Sequence, residues 1–276
     1  MKILNKNVLI DQAGTRLVRI GVLAPEIARK AKAGQFIMLM VSENGERVPL
    51  TVVETDTAAG SISLIFQEAG LTTKLLGRLR EGESLYALVG PLGHPTEIKK
   101  YGKVILVGGG VGIAEIYPVA KALKKTGNHI TTVLGSRTKS LLILEDELKN
   151  TSDEFYVATD DGSRGRKGFT TDILEELLGK GKYDLVYSVG PIPMMKWTAA
   201  VTKKFNARTL VSLNALMVDG TGMCGCCRVC VGGRTYFSCV DGPEFDASLV
   251  DWDELIKRNK IYDRKEKHIC NLNKLI

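Results

Sequence analysis

Residues 103–125 constrain this chain more than any other stretch. Lys103-Val-Ile-Leu-Val-Gly108 is a continuous apolar run, Gly108-Gly-Gly-Val-Gly112 is a glycine turn, and Ile113 to Lys125 repeats apolar residues at helical spacing. A buried strand, a tight turn and a helix in that order build a parallel sheet, and the backbone N–H groups at the helix start suit a dinucleotide pyrophosphate. The stretch departs from the strict G-x-G-x-x-G fingerprint, because Glu115 stands where the third glycine would fall. Three more pairs follow: His129 to Gly135 with a helix over Leu141 to Leu148, Glu154 to Thr159 with Thr171 to Leu178, and Leu185 to Val189 with Met194 to Lys203. Thr209 to Ser212 reads as the closing strand. Such alternation means an α/β parallel sheet that takes ligands at the C-terminal ends of its strands. Those ends carry Gly109, Gly110, Val111 and Gly112, then Ser136 and Arg137, Asp160 and Asp161, and Gly190, Pro191 and Met194.

The first ninety-odd residues have a different grammar. Short strand patterns at Ile3 to Ile10, Arg16 to Leu23, Gln35 to Val41, Leu50 to Glu54, Ile62 to Phe66 and Ser84 to Val89 are split by glycine-bearing turns, which argues for a small antiparallel β-barrel. Pro25 to Lys32 and Leu71 to Leu79 read as helices. The second follows Gly70, with Thr72 and Thr73 in its first turn, and offers N–H groups to a phosphate. Arg47-Val48-Pro49-Leu50-Thr51 adds a guanidinium for a pyrophosphate and a threonine hydroxyl for a ring nitrogen.

Five of the six cysteines fall between Cys224 and Cys239, and Cys270 lies apart. With no secretory disulfide framework elsewhere, that density points to metal ligation. Zinc could take Cys224, Cys227 and Cys239 with Cys226 or Cys230. An iron–sulfur cluster would use thiolates in a glycine-rich loop, which Asp219-Gly-Thr-Gly-Met-Cys-Gly supplies. The chemistry of the ligands leaves both open, and flavin-like and dinucleotide-like sites in the same chain favour an electron relay. The net charge of +7 comes from Lys and Arg scattered without aromatic interleaving, which argues against a nucleic-acid surface. Met1 to Val8 lacks the apolar core of a signal peptide and no apolar run approaches the roughly 18 residues of a membrane span, so the sequence reads as cytoplasmic and without a membrane partner. Composition changes place three domains at 1–98, 99–212 and 213–276.

The whole-chain order of barrel motifs, glycine turn, Gly190-Pro-Ile-Pro-Met-Met195 and terminal cysteines resembles the ferredoxin–NADP reductase superfamily. Within it the chain is similar to the electron-transfer subunit of dihydroorotate dehydrogenase. It is still more similar to the small (alpha) subunit family of electron-bifurcating NADH-dependent reduced ferredoxin:NADP oxidoreductases, also known as sulfide dehydrogenases. The resemblance implies an FAD-binding β-barrel, an NAD-binding α/β domain and a small C-terminal iron–sulfur domain. It implies FAD held by residues 47–51, by Phe66, Gln67 and Glu68, and by Gly70, Thr72 and Thr73. A leucine, Leu50, stands where many members stack a tyrosine, and Arg47 is displaced by one residue. The spacing of four ligands to a 2Fe-2S cluster falls on Asp219, Cys224, Cys227 and Cys239, which makes Cys226 and Cys230 non-ligands. Glu115 replaces a usual proline and Ser188 a usual cysteine. NAD(H) is the implied nucleotide, with NADP(H) the alternative if Arg137 meets a 2′-phosphate. The implied partner is a larger flavo-iron-sulfur subunit in a heterodimer, with ferredoxin reached through the complex. Two other readings stand beside this one: a dihydroorotate dehydrogenase electron-transfer subunit, and a non-enzymatic zinc or redox regulator on a reductase scaffold.

Overall fold

A computed structural model describes residues 1–12, 14–263, 265, 268 and 269; Cys270 lies outside the described residues. Two antiparallel sheets open the chain. The first has the order β1 (Ile3–Gln12), β2 (Thr15–Leu23), β6 (Ser61–Gln67), β5 (Glu54–Asp56), and the second β4 (Arg47–Thr51), β3 (Phe36–Met40), β7 (Ala87–Leu92). Every second residue faces inward, so Val18, Ile20 and Val22, Ile62, Leu64 and Phe66, and Ile37 and Leu39 share one core. Helices α1 (Pro25–Lys30) and α2 (Leu71–Arg78) interrupt the strands where the sequence places them.

Two strands are shifted from their sequence-based positions. The strand expected over Leu50 to Glu54 begins at Arg47, because residues 47–51 pair with Met40 to Phe36, and Val52 and Val53 then turn into the core. The strand expected over Ser84 to Val89 runs from Ala87 to Leu92. It crosses Gly90 and Pro91, which an edge strand tolerates.

The second half is a seven-stranded sheet ordered β11 (Arg166–Lys167), β10 (Glu154–Thr159), β9 (His129–Ser136), β8 (Lys103–Gly109), β12 (Leu185–Val189), β13 (Thr209–Ser212), β16 (Glu244–Asp246). All its pairings are parallel except the last, where β16 from the cysteine-bearing tail adds antiparallel to β13. The covering helices are α3 (Gly112–Lys125), α4 (Glu145–Thr151), α5 (Thr170–Lys180) and α6 (Ile192–Lys204). The helix expected over Leu141 to Leu148 starts at Glu145, after a single 3-10 turn at Lys139–Leu141. Leu141, Ile143 and Leu144 are buried beneath the sheet's helices, and Leu144 is held at φ 53°, so core packing fixes the segment before the acidic first turn can begin.

The tail forms a hairpin of β14 (Arg228–Val231) and β15 (Arg234–Phe237) and a last helix, α7 (Trp252–Asn259). Its apolar residues share a core with other elements: Cys227, Val229, Cys239 and Phe245 pack with Phe36 and Met38 of β3 and Met195 and Ala199 of α6. Among the described residues no helix is long and apolar enough to cross a membrane.

Candidate functional site

The parallel strands end at a cavity of about 760 Å³. Gly109, Gly110 and Val111 form one wall, Ser136, Arg137 and Asp160 another, and Pro191 and Met194 a third. The Arg137 Nη2 donates to Thr15 Oγ1 at 3.0 Å, which ties the guanidinium to β2. Three sequence candidates lie off the wall. A Cβ on Gly112 would sit 2.6 Å from the Val189 carbonyl oxygen, so this glycine lets α3 close onto β12. Gly190 similarly makes room for Met194. The Asp161 carboxylate accepts from Ser163 N and Oγ at 2.9 and 2.6 Å, and these bonds hold its pKa below the ordinary value. Two aromatic rings at the mouth carry no motif: Phe169, 64% exposed, and Trp197, 67% exposed. Trp197 stands one helical turn beyond Met194, the one signal that could have found it.

A second cavity of about 330 Å³ lies between the barrel and the sheet. Pro49, Leu50, Thr51, Phe66, Gln67 and Thr73 line it, and Gln67 and Val111 belong to both cavities. The chain from Ser212 to Ala215, with Met217, closes it from the tail side, a contribution with no sequence signature. Gly70 at the N-cap of α2 has no side chain to offer the first-turn N–H groups, which leaves them available to an anion. The remaining candidates are engaged elsewhere. Thr72 Oγ1 donates to Glu46 Oε2 at 2.8 Å, Glu68 lies 3.4 Å from Arg16 Nη1, and Val48 packs on the barrel core. Glu115, from the first turn of α3, also lines this cavity. Burial pushes its pKa up to about 7, with a Thr51 hydrogen bond pulling the other way.

Arg47, at the far end of β4, reaches the cysteine loop, where its Nη1 donates to Asp219 Oδ1 at 3.1 Å. The other Asp219 oxygen accepts from Thr221 Oγ1, from Thr221 N at 2.9 Å and from Met223 N at 3.5 Å. The Thr221 bonds, then Met223 and the Arg47 charge, hold this carboxyl below the usual range. The Cys227 and Cys239 sulfurs lie 3.1 Å apart, and Cys239 N donates to Cys227 Sγ at 3.5 Å. Burial pushes the Cys239 thiol up to about 12, partly offset by the Gly222 backbone N–H. Cys224 is pulled down, first by the Cys226 N–H. The Cys226 side chain interacts with Cys224 and with Cys227, so four sulfurs, not three, share the loop beside Asp219, with the Cys226 and Gly222 backbone amides aimed at sulfur. Among the described residues no three of these sulfurs and the Asp219 carboxylate lie within 4.8 Å of one another. A thiolate-rich, amide-lined loop is the setting an iron–sulfur cluster uses. Cys230 faces away, with its sulfur within 4.8 Å of carboxylate oxygens of Asp251 and Glu254.

Barrel, doubly covered sheet and sulfur loop together define an oxidoreductase of the ferredoxin–NADP reductase type. Residues 106–200 match the oxidoreductase NAD-binding domain, and residues 214–251 the iron–sulfur cluster binding domain of dihydroorotate dehydrogenase B. A Thermotoga maritima homologue of the dihydroorotate dehydrogenase B (NAD(+)) electron transfer subunit is 51% identical over 244 residues, covering 88% of this chain and 86% of its own. The Geobacillus sp. electron transfer subunit is 38% identical over 227 residues, covering 79% and 86%. This chain belongs to the family of dihydroorotate dehydrogenase B electron-transfer subunits and their homologues. It is therefore an electron-transfer oxidoreductase subunit with iron–sulfur and nucleotide cofactors. Among solved structures, a chain of the NADH-dependent reduced ferredoxin-NADP oxidoreductase, described in a study of flavin-based electron bifurcation, superposes with a TM-score of 0.93 at 45% identity, covering 100% of this chain and 98% of that one. Ferredoxin-NADP+ reductase from Plasmodium falciparum, at 14% identity and a TM-score of 0.62, shares the fold.

Proposed function

We propose that this chain takes electrons from NADH through FAD to a 2Fe-2S cluster and delivers them to a larger flavo-iron-sulfur subunit of an electron-bifurcating NADH-dependent ferredoxin:NADP oxidoreductase. One arrangement carries the reading: the two cavities share Gln67 and Val111, and β4, which lines the second, ends in the Arg47–Asp219 pair of the cysteine loop. With nicotinamide in the first cavity, flavin in the second and the cluster at the cysteine loop, electrons would pass from one to the next in that order.

The residues fit these groups. Gly109, Gly110, Val111 and the α3 N-terminus would take the nucleotide pyrophosphate, Ser136, Arg137 and Asp160 its ribose, and Phe169 and Trp197 its exposed end. Pro49, Leu50, Thr51 and Phe66 would bracket the flavin ring, and the α2 N-terminus with Gly70 and Thr73 would hold phosphate. Asp219, Cys224, Cys227 and Cys239 would ligate the irons. Bound FAD supplies the conversion of hydride to single electrons; the protein's work is positioning and exclusion of water. The division into 1–98, 99–212 and 213–276 assigns one such task to each part.

Asp219 in place of a fourth cysteine and the full-length superposition favour the bifurcating complex. The names of the curated relatives favour a second reading, a dihydroorotate dehydrogenase partner. A visible spectrum with metal analysis tests the cofactors: flavin bands with two irons per chain support the proposal, and a colourless zinc protein overturns it. The subunit that copurifies decides between the complexes, and a clear preference for NADPH over NADH would overturn the nucleotide assignment.

A further inference from the structure

Glu115 occupies a position for which neither the glycine turn nor the bound nucleotide has a use. It sits in the first turn of α3 yet lines the flavin cavity, with Thr51 in the same wall. The groups facing it from the packed elements are neutral or acidic. Thr51 belongs to β4. From β12, Tyr187 is close enough for the Glu115 charge to help raise its phenol pKa, and Tyr187 in turn donates to Glu244 Oε1 of β16 at 2.8 Å. Thr96 donates to the same oxygen, and burial raises the Glu244 pKa as well. A carboxyl so placed exchanges its proton near neutral pH, beside the ring that receives a hydride.

The stoichiometry of the reaction leaves work for such a group. A hydride brings two electrons and one proton, whereas an iron–sulfur cluster accepts one electron at a time and no proton. Two electron departures therefore strand one proton on the flavin.

We propose that Glu115 is the proton acceptor and donor of the flavin cavity, exchanging that stranded proton through the Thr51 hydroxyl. Thr51 takes the proton from a flavin N–H as it passes its own to the Glu115 carboxylate. One N–H bond breaks, one carboxyl O–H bond forms, the flavin is oxidised by two electrons, and the cluster takes them one at a time, passing each to the larger subunit before it accepts the next. In the opposite direction Glu115 returns the proton. The inference rests on the FAD reading above.

The test uses the purified chain with its cofactors, as wild type, Glu115→Gln and Glu115→Asp. Infrared difference spectra between oxidised and reduced protein should show a protonated-carboxyl signal that titrates near neutral pH in the wild type and vanishes in Glu115→Gln. Stopped-flow reoxidation of the flavin through the cluster, with excess ferricyanide as the terminal one-electron acceptor, should slow about 100-fold in Glu115→Gln and lose its pH dependence. Glu115→Asp should regain that dependence with a shifted midpoint. A flavin-bearing Glu115→Gln chain that is reduced by NADH and keeps the wild-type carboxyl signal or the wild-type pH profile would overturn this role alone. A chain that binds no flavin would overturn the functional reading with it.

Discussion

Asp219 carries the sharpest consequence at the scale of single residues. Its carboxylate is ionised at neutral pH, since the Thr221 and Met223 donors and the Arg47 charge all favour the charged form. A carboxylate donates less charge to iron than a thiolate, so Asp219→Cys should lower the cluster potential in a redox titration. No downward shift would remove Asp219 from the ligand set. Glu115 yields a prediction about stability. Its folded pKa of about 7 lies above the unfolded value near 4.5, so the stability it contributes is complete below about pH 4.5 and is lost as pH rises through 7. The wild type should therefore lose up to about 3 kcal/mol across that window relative to Glu115→Gln, read from urea midpoints against pH. A difference between the two that does not vary with pH would mean that Glu115 stays ionised in the fold. The resemblance singled out Asp219 because it stands where a cysteine is expected, and the fold holds its carboxylate on Arg47 and Thr221. Phe169 and Trp197 were not legible in the sequence, because a single exposed aromatic belongs to no pattern until the chain brings it to a cavity mouth.

Among the elements, the β8–α3 turn separates two kinds of glycine. Gly110 adopts φ +57° with nothing within 4 Å of the place a Cβ would take, so Gly110→Ala should cost the left-handed backbone term of about 1–2 kcal/mol. Gly112 has its difficulty in space: an added Cβ meets the Val189 carbonyl oxygen at 2.6 Å, and backbone cannot step aside as a side chain can. Gly112→Val should therefore cost more, about 3 kcal/mol, by pushing α3 off β12. Thermal melts of the two variants check the order, and a Gly112→Val chain as stable as Gly110→Ala would contradict the packing argument. The parallel-sheet elements were readable because each strand is a continuous apolar run with a periodic helix after it. The starts of α4 and β4 were not. The first is delayed by Leu141, Ile143 and Leu144 packing into the core, and the second is advanced by pairing with β3, both being tertiary effects that local pattern does not carry.

Across the whole molecule, the cysteine-bearing tail is fastened at two places of different character. One is rigid: β16 pairs with β13, and Glu244 accepts from Tyr187 and Thr96, so the tail's edge strand is continuous with the sheet. The other is the loop from Asp219 to Cys227, whose exposed Cys224 and Met223 have little packing of their own and whose order depends on the carboxylate turn, the Arg47 pair and whatever the sulfurs hold. The Arg47–Asp219 pair is partly exposed and screened by solvent, so the metal should dominate the order of this loop. Sequence alone set residues 213–276 apart as a third domain, because the residues from β3 and α6 that complete its core are remote in the chain. The shared core predicts a divided response to iron removal. Hydrogen exchange after chelation should show amides 219–226 losing protection, while amides of β16 at 244–246 keep theirs. Uniform loss across 213–251 would instead mean that the cluster holds the whole tail and that its packing on β3, α6 and β13 contributes little.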